Sequence, residues 1–233
     1  MMSRRSVLVW CLVVGMWAAS MGCVEGERSI SGVEQQDHAI IGGEREPGYP
    51  AVGALIYEGE QFCTGTLVRP DVVITAAHCL IEDPDNPEAI SFFIGPDPER
   101  LDMGRSIAVA SLHIHPDYDD FEIINDFAVM RLAEEVTDVD TIPYLTDPMN
   151  ETFIGRQALF IGYGLTSVEP EEVDGKQSVW ITITEMDDTT FTYSEPGVNT
   201  CSGDSGGPAL LEIDGTMTLI GVTSWGDEDC AEF

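Results

Sequence analysis

Three separated segments carry side chains that together could activate an alcohol for attack on a carbonyl group. The segment "NTCSGDSGGPAL" (residues 199–210) sets Ser205 among three glycines, an aspartate and a proline. Glycine permits tight turns and close approach, so that neighbouring N–H groups can point at a developing negative charge. A serine hydroxyl also needs a base, most often histidine, and that histidine needs an acceptor on its other nitrogen.

His78 and Asp126 are the candidate base and acceptor. Of the four histidines, His78 ends the apolar segment "VVITAAHC" (72–79), where two alanines leave it unobstructed. Asp126 is a polar residue in "NDFAVMRL" (125–132), at the start of an apolar strand. Taken singly, a buried structural histidine or a strand-capping aspartate remains the alternative for each of them.

The segments around these residues read as short β-strands separated by turn residues. They are rich in Val, Ile, Thr and aromatic residues, and no long stretch has the 3.6-residue periodicity of an amphipathic helix. The pattern predicts an all-β barrel or sandwich. The candidate strands are residues 51–57, 62–68, 72–77, 90–94, 107–114, 127–132, 157–163, 178–185 and 218–225.

Five motifs occur in an order that resembles the trypsin/chymotrypsin family of serine endopeptidases. They are "IIGG" (40–43), "AAHC" (76–79), "NDFAVMRL" (125–132), "GDSGGP" (203–208) and "SWG" (224–226). The resemblance covers residues 40–233 and implies two packed six-stranded antiparallel β-barrels. The family continues past the position of Cys230 with one more strand and a closing helix. Only "AEF" follows Cys230, so we expect these two elements to be missing.

The resemblance assigns catalytic roles to four residues. Ser205 would attack the peptide carbonyl, His78 would carry the proton, and Asp126 would orient the imidazole. The N–H groups of Gly203 and Ser205 would form the oxyanion hole. The expected reaction is peptide-bond hydrolysis through an acyl-enzyme, without a cofactor or a catalytic metal. The alternative is an inactive homologue that uses the same fold to bind a protein partner.

The resemblance also implies activation by cleavage before Ile40. The new α-amine of Ile40 would pair with the carboxylate of Asp204 and order the pocket. Ala39 precedes the cleavage point in place of the usual arginine or lysine, so the activating protease is not expected to be trypsin-like.

The implied substrate pocket is neutral. Asn199 stands at the position of the pocket base, where an aspartate would select Arg or Lys side chains. The other expected pocket residues are Thr200, Ser224, Trp225 and Gly226. These residues predict specificity for uncharged side chains rather than trypsin-like specificity.

Four cysteines remain after the N-terminal segment, and their number in an exported chain indicates two disulfides. The resemblance implies the pairs Cys63–Cys79 and Cys201–Cys230. Zinc is disfavoured because no CxxC pair occurs. A calcium site in an acidic loop stays open although no EF-hand spacing is found. A metal at His113 and His115 is disfavoured because "HPDY" (115–118) matches a common loop of the family.

The N-terminus has the pattern of an export signal. Arg4 and Arg5 precede an apolar run that is too short to span a bilayer, which predicts a signal peptide over residues 1–23. The polar residues 24–39 read as a linker or pro-segment. Cys23 leaves two interpretations open: acylation, as in bacterial outer-membrane lipoproteins, or an ordinary secretory signal. The Arg pair likewise leaves twin-arginine export open.

The charge excludes one class of partner. Ten basic residues against 42 acidic residues give a net charge of −32, which argues against nucleic-acid binding. We therefore expect an exported bacterial protease domain (40–233) whose partners are polypeptide substrates and an activating protease, with a lipid anchor as the open alternative.

Overall fold

The structure, a computed structural model, describes residues 40–165, 167–168, 171–172, 175–226 and 230. Within these residues it contains fourteen β-strands, three short 3₁₀ turns and no α-helix. The strands are β1 (Glu44–Arg45), β2 (Val52–Tyr57), β3 (Glu60–Arg69), β4 (Val72–Thr75), β5 (Ile90–Ile94), β6 (Arg105–Ile114), β7 (Ala128–Leu132), β8 (Gln157–Gly162), β9 (Ser167–Val168), β10 (Glu171–Glu172), β11 (Gln177–Met186), β12 (Phe191–Tyr193), β13 (Pro208–Ile213) and β14 (Thr216–Val222).

Some predictions fall on other parts of the chain. The signal peptide (1–23), the linker (24–39) and the candidate lipidation residue Cys23 lie outside the described residues. The predicted loss of the last strand and closing helix concerns the chain end, where 231–233 also lie outside them. No helix in the described part of the chain has the length and apolarity needed to cross a bilayer.

Strands β2 to β7 form a closed antiparallel barrel in the order β2–β3–β4–β7–β6–β5. Apolar side chains fill it, and Leu55, Phe92 and Met130 are fully buried. Strand β4 runs antiparallel to β7, with Thr75 paired to Ala128. The end of β4 and the start of β7 therefore lie side by side at one rim of the barrel.

A second sheet follows the order β1–β11–β8–β13–β14, and β12 pairs with the other end of β11. It curls around its own core, in which Ile40, Phe160 and Ile181 are almost completely buried. The prediction of an all-β, chymotrypsin-like fold is confirmed as one closed six-stranded barrel and one curled half-barrel of six strands.

Tyr163 joins the second sheet to the barrel. It follows β8 and is fully buried. Its hydroxyl lies 2.6 Å from the carbonyl oxygen of Gly95 and 3.1 Å from that of Val52. A buried hydroxyl with such partners holds the second sheet at a fixed distance from the barrel.

Replacing Tyr163 with phenylalanine will lower the free energy of unfolding by about 1–3 kcal/mol, because buried carbonyl groups lose their donor. Equilibrium denaturation in urea measures this change. Tyr144→Phe is the matched control, since the Tyr144 hydroxyl accepts its bond from Arg69 at an exposed position. Equal stability losses in the two variants would contradict the bridging role of Tyr163.

Candidate active site

His78 and Asp126 meet at the rim where β4 ends and β7 begins. Nδ1 of His78 lies 2.7 Å from Oδ2 of Asp126, and the backbone N–H of His78 donates to Oδ1 at 2.8 Å. Ala76 and Ala77 are fully buried before the histidine, so the chain turns there without side-chain bulk. Strand pairing thus brings together two residues that are far apart in the sequence.

The Asp126 carboxylate is held in its ionised form. Its side chain is 3% exposed, whereas that of His78 is 31% exposed. Burial raises the pKa of Asp126, but hydrogen bonds from His78 and from the Ser224 hydroxyl outweigh it, and the pKa lies below its ordinary value. Because an ionised carboxylate only accepts, Nδ1 of His78 must carry the proton, which leaves the Nε2 lone pair available.

The Ser205 loop lies beside this pair. The N–H of Thr64 on β3 donates to the carbonyl oxygen of Ser205 at 2.8 Å. The same Ser205 oxygen and Nε2 of His78 both lie 3.8 Å from Sγ of Cys79. The imidazole and the Ser205 backbone therefore both lie beside the Cys79 sulfur.

The N–H groups of the loop divide into two sets. Those of Asp204, Gly206 and Gly207 donate to the carbonyl groups of Cys201, Thr223 and Asp204. Within the described part of the chain, those of Gly203 and Ser205 donate to no protein group. Two free donors separated by one intervening residue, beside a serine and a histidine, are the arrangement that an oxyanion requires.

Glycines let the loop pack this closely. Gly206 has a φ of +79°, and a Cβ there would lie 2.0 Å from Oγ1 of Thr75. A Cβ on Gly162 would lie 2.0 Å from Oδ1 of Asp204. No other residue type fits at either position without displacing the loop.

Asp204 is a buried carboxylate at the back of the loop. It accepts from the N–H of Gly164 at 2.9 Å and from that of Cys201 at 2.8 Å, and no cation contacts it among the described residues. Burial raises its pKa to about 7, although these two backbone hydrogen bonds act in the opposite direction.

Ile40 and its neighbours dock against the second sheet. The Ile40 side chain is fully buried in the core of the second sheet. The N–H of Asn199 donates to the carbonyl oxygen of Ile41 at 3.0 Å, and β1 pairs with β11.

Two cavities lie at the strand end after β14, and the smaller of them borders Ser205. The smaller, of about 170 Å³, is lined by Ser205 and by four of the predicted pocket residues, Thr200, Ser224, Trp225 and Gly226. The larger, of about 810 Å³, shares the last three of these four and is otherwise lined by apolar side chains together with polar ones, among them Asp126, Asp187 and Asp188.

Asn199 lines the larger cavity and not the smaller one. Its Oδ1 accepts from the N–H of Thr200 at 2.9 Å, and its Nδ2 is buried without a hydrogen-bond partner among the described residues. Asn199, the predicted base of the substrate pocket, therefore does not line the cavity that borders Ser205.

Comparison with known proteins bears on this geometry. The profile of the trypsin family matches residues 40–233. The chain belongs to the trypsin family. It is 32% identical to a trypsin of Saccharopolyspora erythraea, over 82% of this chain and 88% of that protein. It is 30% identical to kallikrein-2 of Homo sapiens (96% and 90% coverage) and 31% identical to brachyurin of Leptuca pugilator (80% and 86%).

Membership of the trypsin family indicates a serine protease acting on polypeptides. Both predicted disulfides of this trypsin-family protein are confirmed, with Cα–Cα distances of 6.3 Å for Cys63–Cys79 and 5.2 Å for Cys201–Cys230. Disulfides persist in oxidising compartments, which indicates an extracytoplasmic location.

The other two histidines in the described part of this trypsin-family protein, His113 and His115, have local partners. Nε2 of His113 lies 3.0 Å from the Ser111 hydroxyl, and Nδ1 of His115 accepts from the N–H of Asp117 at 3.2 Å. Two side chains near Ser205 were missed by sequence reasoning: Gln61 and Thr64 both donate to the carbonyl oxygen of Gly203. No signal in the sequence marks them, because the contact joins β3 to a loop of the other sheet.

Proposed function

We propose that this trypsin-family protein is a serine endopeptidase that hydrolyses peptide bonds through an acyl-enzyme on Ser205. The observation that carries the proposal is the pair of N–H groups on Gly203 and Ser205, which have no protein partner in the described part of the chain. They lie beside a histidine already oriented by Asp126.

In the first half-reaction, Oγ of Ser205 attacks the carbonyl carbon while Nε2 of His78 takes the hydroxyl proton. The N–H groups of Gly203 and Ser205 donate to the oxyanion of the tetrahedral intermediate. His78 then passes the proton to the leaving amine as the C–N bond breaks. In the second half-reaction, water attacks the acyl carbon and gives a proton to Nε2 of His78, which passes it to Oγ of Ser205 as the acid product leaves.

We assign the primary substrate pocket to the smaller cavity. The described residues that line it carry no charged side chain. Among these described residues, a lysine or arginine side chain would find no partner for its charge, which is costly. The pocket therefore favours uncharged side chains. Asn199 contributes a neutral polar side chain to the neighbouring larger cavity.

We further propose that cleavage before Ile40 activates the protein. The buried carboxylate of Asp204 needs a cation, and the side chain of Ile40 is already buried in the core of the second sheet. The new α-amine supplies that cation. Ala39 makes an activator of trypsin-like specificity unsuitable. Acylation of Cys23 would hold the uncleaved protein at a membrane until cleavage before Ile40 releases it, and the mass of the N-terminal peptide of the uncleaved protein tests this.

Asp204 makes the stability of the uncleaved protein depend on pH. An unfolded aspartate loses its proton near pH 3.9, whereas the buried Asp204 keeps its proton up to about pH 7. Between these values the folded state binds more protons, so stability falls as pH rises, by on the order of 4 kcal/mol.

Urea denaturation at several pH values, compared with Asp204→Asn, isolates this contribution. The native protein should lose stability relative to the variant between about pH 4 and pH 7. After cleavage before Ile40 this loss of stability with rising pH should disappear, because the α-amine favours the ionised carboxylate. Parallel curves for the uncleaved protein and the variant would contradict the assignment.

The activity itself is tested with a processing site placed at the natural junction. Ala39→Arg allows immobilised trypsin to cut before Ile40, and N-terminal sequencing verifies the new end "IIGG". The cut protein is expected to hydrolyse fluorescently labelled casein, while the uncut protein does not. Ala39→Arg combined with Ser205→Ala, treated identically, measures any carried-over trypsin. Correctly cut, folded protein that matches this background would overturn the proposal.

A further inference from the structure

The carbonyl group of Gly203 is held by two side chains from the barrel. Nε2 of Gln61 donates to its oxygen at 3.0 Å, and Oγ1 of Thr64 donates at 2.9 Å. Both donors lie on β3, whereas Gly203 belongs to the loop before β13. The contact therefore reaches across from the barrel to the loop that carries Ser205.

Thr64 holds the loop at two points. Besides the bond from its hydroxyl to Gly203, its backbone N–H donates to the carbonyl oxygen of Ser205 at 2.8 Å. The N–H of Tyr163 donates to the same hydroxyl oxygen at 3.2 Å. Because that N–H occupies a lone pair of Oγ1, the single hydroxyl proton is directed to Gly203. Thr64 is fully buried, so water does not compete for these bonds.

Gly203 needs such an external constraint. Its φ is +95°, and without a side chain its backbone can adopt many other conformations. Rotation of the chain at Gly203 would turn its N–H away from the position of the oxyanion. A larger residue cannot replace Gly203 to reduce this freedom, since a Cβ there would lie 2.9 Å from Cα of Gly164. The two donors to the carbonyl oxygen restrict the rotation instead.

We propose that Gln61 and Thr64 are positioning residues that orient the Gly203 N–H toward the oxyanion. Neither side chain lines either cavity beside the site, and each acts through the Gly203 carbonyl group. The inference rests on the proposed function and adds to it two residues of the barrel that set the rate of the step at Ser205.

Thr64→Val removes the hydroxyl and keeps the shape of the side chain, and Thr64→Ser restores the hydroxyl. A misdirected donor should cost less than a deleted one, so we expect Thr64→Val to lower kcat by about 10- to 100-fold with KM unchanged. Thr64→Ser should recover most of the loss. Gln61→Met, which removes the other donor, should have the same direction of effect. A peptide aldehyde built on the best substrate should lose affinity in parallel with kcat, because its adduct also carries an oxyanion.

Thr66→Val is the matched control. Thr66 also lies on β3 and is fully buried, but its hydroxyl has no hydrogen-bond partner in the described part of the chain. Its replacement should leave kcat unchanged. Equal kcat values for the parent, Thr64→Val and Thr66→Val would overturn the proposal, as would a loss in Thr64→Val that Thr64→Ser does not recover.

A parent protein without activity would instead contradict the proposed function. The positioning role would then be read from a crystal structure of Thr64→Val. A rotated Gly203 backbone in that structure supports the role, and an unchanged one overturns it.

Discussion

Replacing His78 with alanine will lower kcat for peptide hydrolysis by about 10⁶-fold, while KM changes little. In the proposed mechanism the imidazole is the base that removes the Ser205 proton, and no other base among the described residues is placed to replace it. Nδ1 of His78 is already bound to Asp126 at 2.7 Å, so the geometry of the base is preset before substrate arrives. Steady-state kinetics of the cleaved protein with a fluorogenic peptide measure the loss.

The double variant His78→Ala/Ser205→Ala should be no slower than either single variant, because residues that act as one unit have non-additive effects. His113→Ala is the matched control, since His113 is an exposed histidine that contacts Ser111. Additive losses in the double variant, or an effect of His113→Ala as large as that of His78→Ala, would contradict the proposed roles.

Replacing Asp126 with asparagine will lower kcat by about 10⁴-fold, the loss measured for the corresponding change in the serine proteases on which the general triad mechanism was worked out. The amide can donate to Nδ1 and so favours the tautomer whose proton is on Nε2, which cannot accept from Ser205. The carboxylate also stabilises the charged imidazole, and the neutral amide does not.

The pH dependence separates this role from a structural one. The pKa of Asp126 is below its ordinary value, so in the parent protein it stays ionised at every pH above about 4. We therefore expect that any fall in the rate of the parent protein near neutral pH does not come from protonation of Asp126. Asp138→Asn is the control, because Asp138 is an exposed carboxylate bound to Arg105. A loss of activity after Asp138→Asn equal to that after Asp126→Asn would contradict the account.

Sequence patterns predicted the strands with a strong apolar character. The candidate at 90–94 coincides with β5 (Ile90–Ile94), and all nine candidates overlap an observed strand. Strand β13 (Pro208–Ile213) is absent from the candidate set because it starts with proline, which usually marks a strand edge or break. Strand β12 (Phe191–Tyr193) is too short to have a readable period.

The paired groups at the site were predictable to different degrees. The resemblance to the trypsin/chymotrypsin family implied both disulfides, Cys63–Cys79 and Cys201–Cys230, because the family pairs the cysteines at these positions. The bond from Ser224 to Asp126 did not, because the sequence placed Ser224 only in the substrate pocket.

Contacts between the two sheets were beyond sequence reasoning for a physical reason. Gln61 and Thr64 reach Gly203 over separations of 142 and 139 residues, which depend on how the barrel docks on the second sheet. Periodicity describes one strand at a time and contains no information on that docking. Asn199 was likewise placed by a motif, and the structure adds that it lines the larger cavity.

The most direct measurement is the site of reaction with a fluorophosphonate. This reagent forms a stable phosphorus–oxygen bond only with a serine that a neighbouring base has activated. The protein cut before Ile40 is labelled, digested and mapped by mass spectrometry, with His78→Ala treated in parallel. The account predicts one adduct per chain, on Ser205, and none in the variant. An unmodified Ser205 in correctly cut and folded protein, or equal labelling of His78→Ala, would contradict it.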